Sequence, residues 1–375
     1  MGSITRSFAN LITANGPSAV ADGSVTAGDI SGNINFKNII INGDMSIAQR
    51  STSVASITSS GYFTVDRMRT RCNIGTWTQS QSTDVPSGQG FATSLKMDCT
   101  TANASPPAAN TLSIQHIIEG QNLQYLKKGT SSAESLTMSF WVKSNKTGTY
   151  IAELFDNDNQ RQISQAYTIS NANTWEKKTL TYAGDTSGAY DNDSGASLYI
   201  EFWLGAGSNY TSGTLSTTWT SNTNTNRVVG QVNLADSTSN YINITGVQLE
   251  AGTTASDFEF LPHDVNKRRC LRYYTVVTQN HYFAGARANG TSGIIGGRFY
   301  TSVPLRAGPT IDAGTYQYYY GDAGNGGVSS STTAVEYQSD DTGLTFRLNS
   351  ALSGLVDNEP VIVGANSTIG FDSEL

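Results

Sequence analysis

Residues 245–274, TGVQLEAGTTASDFEFLPHDVNKRRCLRYY, read in succession as the end of a β-strand, a loop and a basic helix. Just upstream, INITGVQLEAG places Ile242 and Ile244 in one alternating phase and Val247 and Leu249 in the other. Gly246 is therefore the expected position of a β-bulge that moves the inward face by one residue. Downstream, Asp257-Phe-Glu-Phe-Leu-Pro leads to Asp264, the expected N-cap of a short helix carrying Lys267, Arg268, Arg269 and Arg272. A strand that ends, a proline and a helix together mark a junction, with one sandwich closing near Pro262 and a second unit following.

The composition agrees with sheets on both sides of that junction. Only 14% of the residues are charged, glycine occurs 37 times, and Ser, Thr and Asn are abundant, which favours short strands joined by polar turns. The expected fold is all-β: a jelly-roll β-sandwich followed by a smaller C-terminal β-sandwich domain, with an N-terminal extended arm. The 375 residues suffice for two cores and an arm. The expected boundaries are 1–35 for a docking arm and linker, 36–262 for the jelly roll, 263–274 for the basic connector and 275–375 for the C-terminal β domain. Within the jelly roll, Leu123 and Leu126 lie three apart before Gly129, which predicts one or two helical turns closing an end of the sandwich. In the C-terminal unit, Asp340-Asp-Thr-Gly343 is a hairpin turn between VEYQS and LTFRL.

Gln248, Leu249, Glu250 and Gly252, then Phe258, Glu259 and Pro262, then Cys270, Arg272, Tyr273 and Tyr274 form a recurring pattern. A matching start is found in Asn38-Ile-Ile-Ile-Asn-Gly-Asp-Met-Ser-Ile-Ala-Gln-Arg50, Tyr62, Asp66-Arg67 and Leu136-Thr-Met-Ser-Phe-Trp-Val-Lys143. Framed in this way, the chain resembles the carbohydrate-binding-module-like jelly roll of many bacteriophage tail-fibre and virion-surface proteins. Met68 departs from the pattern, standing where the family usually has an aromatic after Asp-Arg. The resemblance implies a virion component, on the surface or tail of the particle, that touches a host surface. It also implies association as a trimer. Read from the residues, the amphipathic SITRSFANLI before a Gly-punctuated linker suits an arm that docks on other virion proteins, a frayed terminus being the alternative.

Strand phase selects the candidate contact residues. In Leu136–Val142, Leu136, Met138, Phe140 and Val142 point one way, which sends Trp141 to the opposite face. In Ser197–Leu204, Leu198, Ile200, Phe202 and Leu204 point inward, and Tyr199, Glu201 and Trp203 outward. Flat aromatics beside a carboxylate suit the apolar faces and hydroxyl fringe of a sugar ring. The competing expectation is that the 206–230 loop, a second subunit or the second domain covers these rings. In the C-terminal unit, Tyr318 and Tyr320 share a strand face with Tyr316, and the alternatives there are recognition or cross-strand pairing.

Other chemistries find little support. The net charge of −7 and sequence pI near 5.0 argue against nucleic acid as a partner. No apolar run approaches a membrane span, and no export signal is evident, so synthesis in the host cytoplasm is expected. Cys72, Cys99 and Cys270 have neither metal-ligand spacing nor an even count; Cys99 alternates with Leu95 and Met97 as a core thiol. His116 shares the phase of Leu112 and Ile114 and reads as a satisfied core histidine. No cofactor is expected. The resemblance adds a structural calcium as the one metal to consider, at Asp156-Asn-Asp-Asn159 or Asp191-Asn-Asp-Ser-Gly195, where turn chemistry is the alternative. The expected function is noncatalytic host attachment through a glycan. A purely structural capsid-decoration or tail-adaptor role is the second reading, and a polysaccharide depolymerase, for which no carboxylate pair stands out, is the third.

Overall fold

The computed structural model describes residues 36–276, 301–310 and 370–375 with their side chains. It describes the backbone alone at 277, 282–289, 293–300, 311, 316–320, 328–330, 335–340, 343–349, 360–365 and 369. The predicted arm, 1–35, lies outside the described residues. The described residues from 38 onward form one compact unit.

The jelly roll runs through β1 (Ser53–Ile57), β2 (Gly61–Tyr62), β3 (Arg69–Cys72), β4 (Thr76–Ser82), β5 (Ser94–Thr101), β6 (Thr111–Glu119) and β7 (Leu136–Ser144). It continues through β8 (Gly148–Asp156), β9 (Arg161–Ile169), β10 (Glu176–Tyr182), β11 (Ala196–Ala206), β12 (Thr220–Ser221) and β13 (Tyr241–Ala251). Two antiparallel sheets result. One has the order β1-β4-β5-β13-β7-β10, and the other β12-β9-β8-β11-β6-β3-β2. Strands far apart in sequence are neighbours, as β13 between β5 and β7, which is the mark of a jelly roll rather than a meander.

Alternation builds the core. Met138, Phe140 and Val142 of β7 are fully buried and face Leu198, Ile200 and Phe202 of β11 across the sandwich. Phe140 meets Phe202 and Tyr167 edge-on at 5.0 Å each, joining the sheets through aromatic quadrupoles as well as area. Each such side chain contributes about 1.5–3 kcal/mol by leaving water. The register of β13 against β7 shifts between Thr245 and Gln248, and Gly246 has φ +60°, so the bulge lies where the phase change predicts it. Cys99 and Met68 are both buried in the core.

Two 3₁₀ turns, Gly120–Asn122 and Gln124–Leu126, occupy the predicted helical stretch, with Leu123 and Leu126 buried. The basic helix spans His263–Leu271 and is capped by Pro262; Asp264 lies inside its first turn rather than at the N-cap. The helix thus begins one residue before Asp264, whose carboxylate in the first turn meets the positive end of the helix dipole.

Beyond the helix come β14 (Tyr274–Val277), β15 (Tyr282–Asn289), β16 (Gly293–Tyr300), β17 (Thr310–Ile311), β18 (Tyr316–Tyr320) and β19 (Val328–Ser330). The last are β20 (Val335–Asp340), β21 (Gly343–Asn349), β22 (Pro360–Ala365) and β23 (Ile369–Asp372). They form a seven-stranded sheet, β19-β18-β22-β15-β16-β21-β20, and a small sheet, β14-β23-β17. β20 and β21 pair from Val335↔Leu348 to Asp340↔Gly343, as the predicted hairpin requires. No helix among the described residues is long and apolar enough to cross a membrane.

Candidate functional site

The outward faces of β7 and β11 have different fates. On β11, Trp203 and Glu201 do point away from the main core, yet both are buried, at 0% and 1% exposure. Residues 207–232 lie over them. Val228, Tyr210 and Leu215 pack on Trp203 and Ile151, and the loop is stitched to β8 and β9 by hydrogen bonds from Val232 N–H to Thr149 O (2.9 Å) and Ser164 N–H to Ser216 O (2.7 Å). Arg227, delivered by this loop, donates to Glu153 through Nε (2.8 Å) and Nη2 (2.8 Å) and to Glu201 through Nη2 (3.2 Å). Ser113 Oγ (2.6 Å) and Arg71 Nη1 (3.2 Å) complete the shell of Glu201, and Trp203 Nε1 donates to Glu153 (2.9 Å). Burial pushes the Glu153 carboxyl up, against the opposing pull of Arg227. This face is closed and its polar groups are mutually satisfied. As ligand contacts Trp203 and Glu201 are therefore withdrawn; the covering loop was the competing expectation. Tyr199 remains half-buried, edge-on to Phe155 at 6.2 Å. Tyr318 and Tyr320 fall on β18, paired with Val363 and Val361, and their side chains lie outside the described residues.

On β7, Trp141 stays partly exposed and lines a cleft of about 300 Å³. Ser139 and Trp141 of β7, Lys177 of β10 and Gly246 of the β13 bulge line it from the sheet. Gly88, Gln89 and Phe91 of one loop and Asp257, Phe258 and Phe260 of another line it from above, the two loops meeting through their phenyl rings. Phe91, Phe258 and Phe260 pack as a triad with centroids 4.8–5.1 Å apart, and Phe260 is 50% exposed. The bulge makes room for this: a Cβ on Gly246 would lie 2.5 Å from the Phe91 ring. The 83–92 wall is tied down by Asp84, which accepts from Lys143 Nζ (2.7 Å) and Trp175 Nε1 (2.9 Å); despite partial burial these bonds hold its carboxyl below the usual range.

The wall at 256–260 rests on residues of the opening segment. Glu250 accepts from Ser256 N–H (2.8 Å) and Ser256 Oγ (2.7 Å), Gln248 Oε1 accepts from Glu259 N–H (2.8 Å), and Glu259 accepts from Asn38 N–H (2.9 Å). The Gln-Leu-Glu and Phe-Glu motifs thus position Phe258 and Phe260 at the cleft. Sequence reasoning missed Phe260 and Lys177. The alternation around Trp141 could have pointed to Lys177, directly opposite it in register, once β10 was paired with β7.

What distinguishes this cleft is unspent hydrogen-bonding capacity. Four of the five indole N–H groups are bound inside the molecule: Trp77 to Ile74 O, Trp175 to Asp84, Trp203 to Glu153 and Trp219 to Ala183 O. The Trp141 indole has no such partner among the described residues, and neither do the side chains of Gln89, Ser139, Lys177 and Asp257. Polar groups left open beside an aromatic face are what a hydroxyl-rich ligand needs.

The remaining polar clusters are internal. Lys128 Nζ contacts Asp156 (2.6 Å) and Asp185 (3.2 Å) and donates to Ser187 O (2.8 Å) and Gly188 O (2.7 Å). One of the two turns considered for calcium therefore already holds an ammonium, and Asp156 also caps Asp158 and Asn159 N–H. Among the described residues no group of three His, Cys, Asp or Glu side chains is arranged to hold a metal. His116 accepts from Ile41 N–H through Nε2 (3.3 Å), but its buried Nδ1 has no partner, so it is only half satisfied; burial first, then Arg67 and Arg269, hold its pKa well below the usual value. The basic connector is not a solvated helix face throughout: Arg272 donates to buried Glu119 (2.7 and 2.9 Å), which keeps that carboxyl below its usual range against the cost of burial.

No protein-family model matches the chain, and no curated protein matches it. Among solved structures the chain is similar to the enzymatically active domain of tailspike protein 4 of bacteriophage CBA120, at 18% identity and TM-score 0.31, over 58% of this chain and 22% of that one. The match thus spans about a fifth of the tailspike chain. It is also similar to the family 11 carbohydrate-binding module of a cellulosomal cellulase of Clostridium thermocellum (11% identity, TM-score 0.26, 58% and 96% covered). A third similar structure is a family 61 module in complex with β-1,4-galactotriose (9% identity, TM-score 0.28, 57% and 98% covered).

Proposed function

We propose that this chain is a noncatalytic attachment protein of a virion surface or tail, and that it recognises a host glycan in the cleft between Trp141 and Phe260. The observation that carries the reading is the convergence of an unpartnered indole, an exposed phenyl ring and four unpartnered polar side chains at one opening. A sugar ring stacks its CH face on the indole while its hydroxyls meet Ser139, Gln89 and Asp257. At about 300 Å³ the cleft stands at the small end of ligand sites, which suits one or two sugar units rather than a long chain. The virion assignment is supported by the run of motifs from Asn38 to Tyr274. Trimeric association and docking through residues 1–35 are part of the same proposal.

The test is binding to host cells and to a glycan array by purified Trp141→Ala and Phe260→Ser, with unfolding curves recorded alongside. The reading expects each variant to stay folded and to lose about tenfold or more in affinity. Full retention of binding by both would refute the cleft as the site, and absence of binding by the wild type itself would favour a role confined to other virion proteins. Release of reducing ends from host polysaccharide by the wild type would instead make it a depolymerase.

A further inference from the structure

Lys177 stands apart from the other lysines of residues 96–178. Seven lysines lie between residues 96 and 178. Six of them touch a carboxylate: Lys96 with Asp98, Lys127 with Glu134, Lys128 with Asp156, Lys143 with Asp84, Lys146 with Asp236 and Lys178 with Glu176, all at 2.5–2.7 Å. Lys177 has no partner among the described residues, although carboxylates outnumber cations in the chain. It is exposed, stands across the β7–β10 ladder from Trp141, and lines the same cleft. Asp257, on the strap across the cleft, is likewise unpaired and does not reach Lys177.

We infer that the cleft takes a sugar bearing one anionic substituent, a carboxylate or a sulfate, which Lys177 binds while Trp141 stacks on the ring. This rests on the glycan reading above and names its ligand class. An ammonium beside an aromatic floor gives a charge-assisted hydrogen bond to an anionic oxygen, about twice as strong as a neutral one. Asp257 sets the orientation: it accepts from hydroxyls and repels a second anion, so the charged substituent is directed to the β10 side. The net charge of −7 does not forbid an anionic ligand, because at physiological salt charges beyond about 8 Å are largely screened and the nearest cation decides.

The experiment measures affinities of wild type, Lys177→Gln and Trp141→Ala for three probes: neutral galactose-terminated, galacturonate-terminated and sulfated-galactose-terminated oligosaccharides, at low and high sodium chloride. Wild type is expected to prefer one or both acidic probes by about tenfold, and the preference should shrink with salt. The two acidic arms tell carboxylate from sulfate. Lys177→Gln should lower affinity for the acidic probes about tenfold more than for the neutral one and so erase the preference, whereas Trp141→Ala should lose all three probes. Equal affinity for neutral and acidic probes, or a preference that survives Lys177→Gln, would overturn the inference and leave the cleft itself intact. Undiminished binding by Trp141→Ala, or no binding of any probe by wild type, would remove the glycan reading and the inference together.

Discussion

His116 is buried with one ring nitrogen accepting from Ile41 and the other facing no partner, close to Arg67 and Arg269. Protonation there would place a third cation among two, in a dry site, so the folded state holds the neutral ring. The unfolded chain takes a proton near pH 6.5, and the folded chain does so only at much lower pH. Below about pH 6.5 the unfolded state therefore binds more protons, and stability falls with pH, by up to about 1.4 kcal/mol per pH unit. Comparing denaturant unfolding of wild type and His116→Gln from pH 7 to pH 5 isolates this contribution. The variant should show the shallower loss, and parallel pH profiles would contradict the assignment. The burial of His116 was legible from its phase with Leu112 and Ile114. Its missing partner was not, because that depends on Arg67 and Arg269 arriving from remote parts of the chain. Trp141 and Trp203 make the same point: alternation sends both rings outward, but only the tertiary path of residues 207–232 decides which one meets water.

At the scale of elements, that loop acts as a fixed cover. Its anchor is Arg227, bound to Glu153 and Glu201, and its apolar contacts are Val228, Leu215 and Tyr210. Removing one partner of a buried ion network costs about 3–5 kcal/mol, because the others stay buried without compensation. Arg227→Ala should therefore destabilise the module by that order. It should also speed amide exchange across 207–232 before the strands of either sheet are affected. Uniform exchange across loop and sheets would mean that the loop is not a separate unit. The strands and the Gly246 bulge were readable because burial on one face imposes a period of two, which a bulge visibly breaks. The cover was not readable, since its Ser-, Thr- and Asn-rich sequence resembles any polar turn region. The walls of the cleft were partly readable: Phe258 and Glu259 belong to recognised motifs, whereas pairing Lys177 with Trp141 required the ladder.

At the scale of the whole molecule, residues 270–274 and 372–375 lock the chain's return onto the jelly roll. The Arg67 guanidinium lies 3.5 Å above the Tyr273 ring and binds Glu374, and Arg50 lies 3.6 Å above Tyr274 and binds Asp372 (2.8 Å). Tyr273 donates to Glu119 (2.5 Å), and burial pushes its hydroxyl up to about 12. β23 reaches this place by pairing with β14, so both ends of the 278–368 excursion are held at one sheet. Burial raises the Glu374 carboxyl above its usual range even against Arg67 and Arg50. Glu374→Ala should cost about 3–5 kcal/mol in unfolding, by leaving Arg67 buried without its carboxylate. A loss below about 1 kcal/mol would show that the lock depends on the tyrosine rings instead. Tyr273, Tyr274 and Arg272 thus serve the joint between the parts, while Gln248, Glu250 and Phe258 serve the cleft.

On the proposed function, recognition takes place at Trp141 and not on the closed β11 face. The five indole N–H resonances of a ¹⁵N-labelled sample report this directly, because each tryptophan has a distinct, known environment. On titration with host-surface glycan, the Trp141 signal should shift, with a smaller shift at Trp175 through Asp84, while Trp77, Trp203 and Trp219 stay in place. Shifts at Trp203 with Trp141 unmoved, or a bound glycan that moves none of the five, would contradict it.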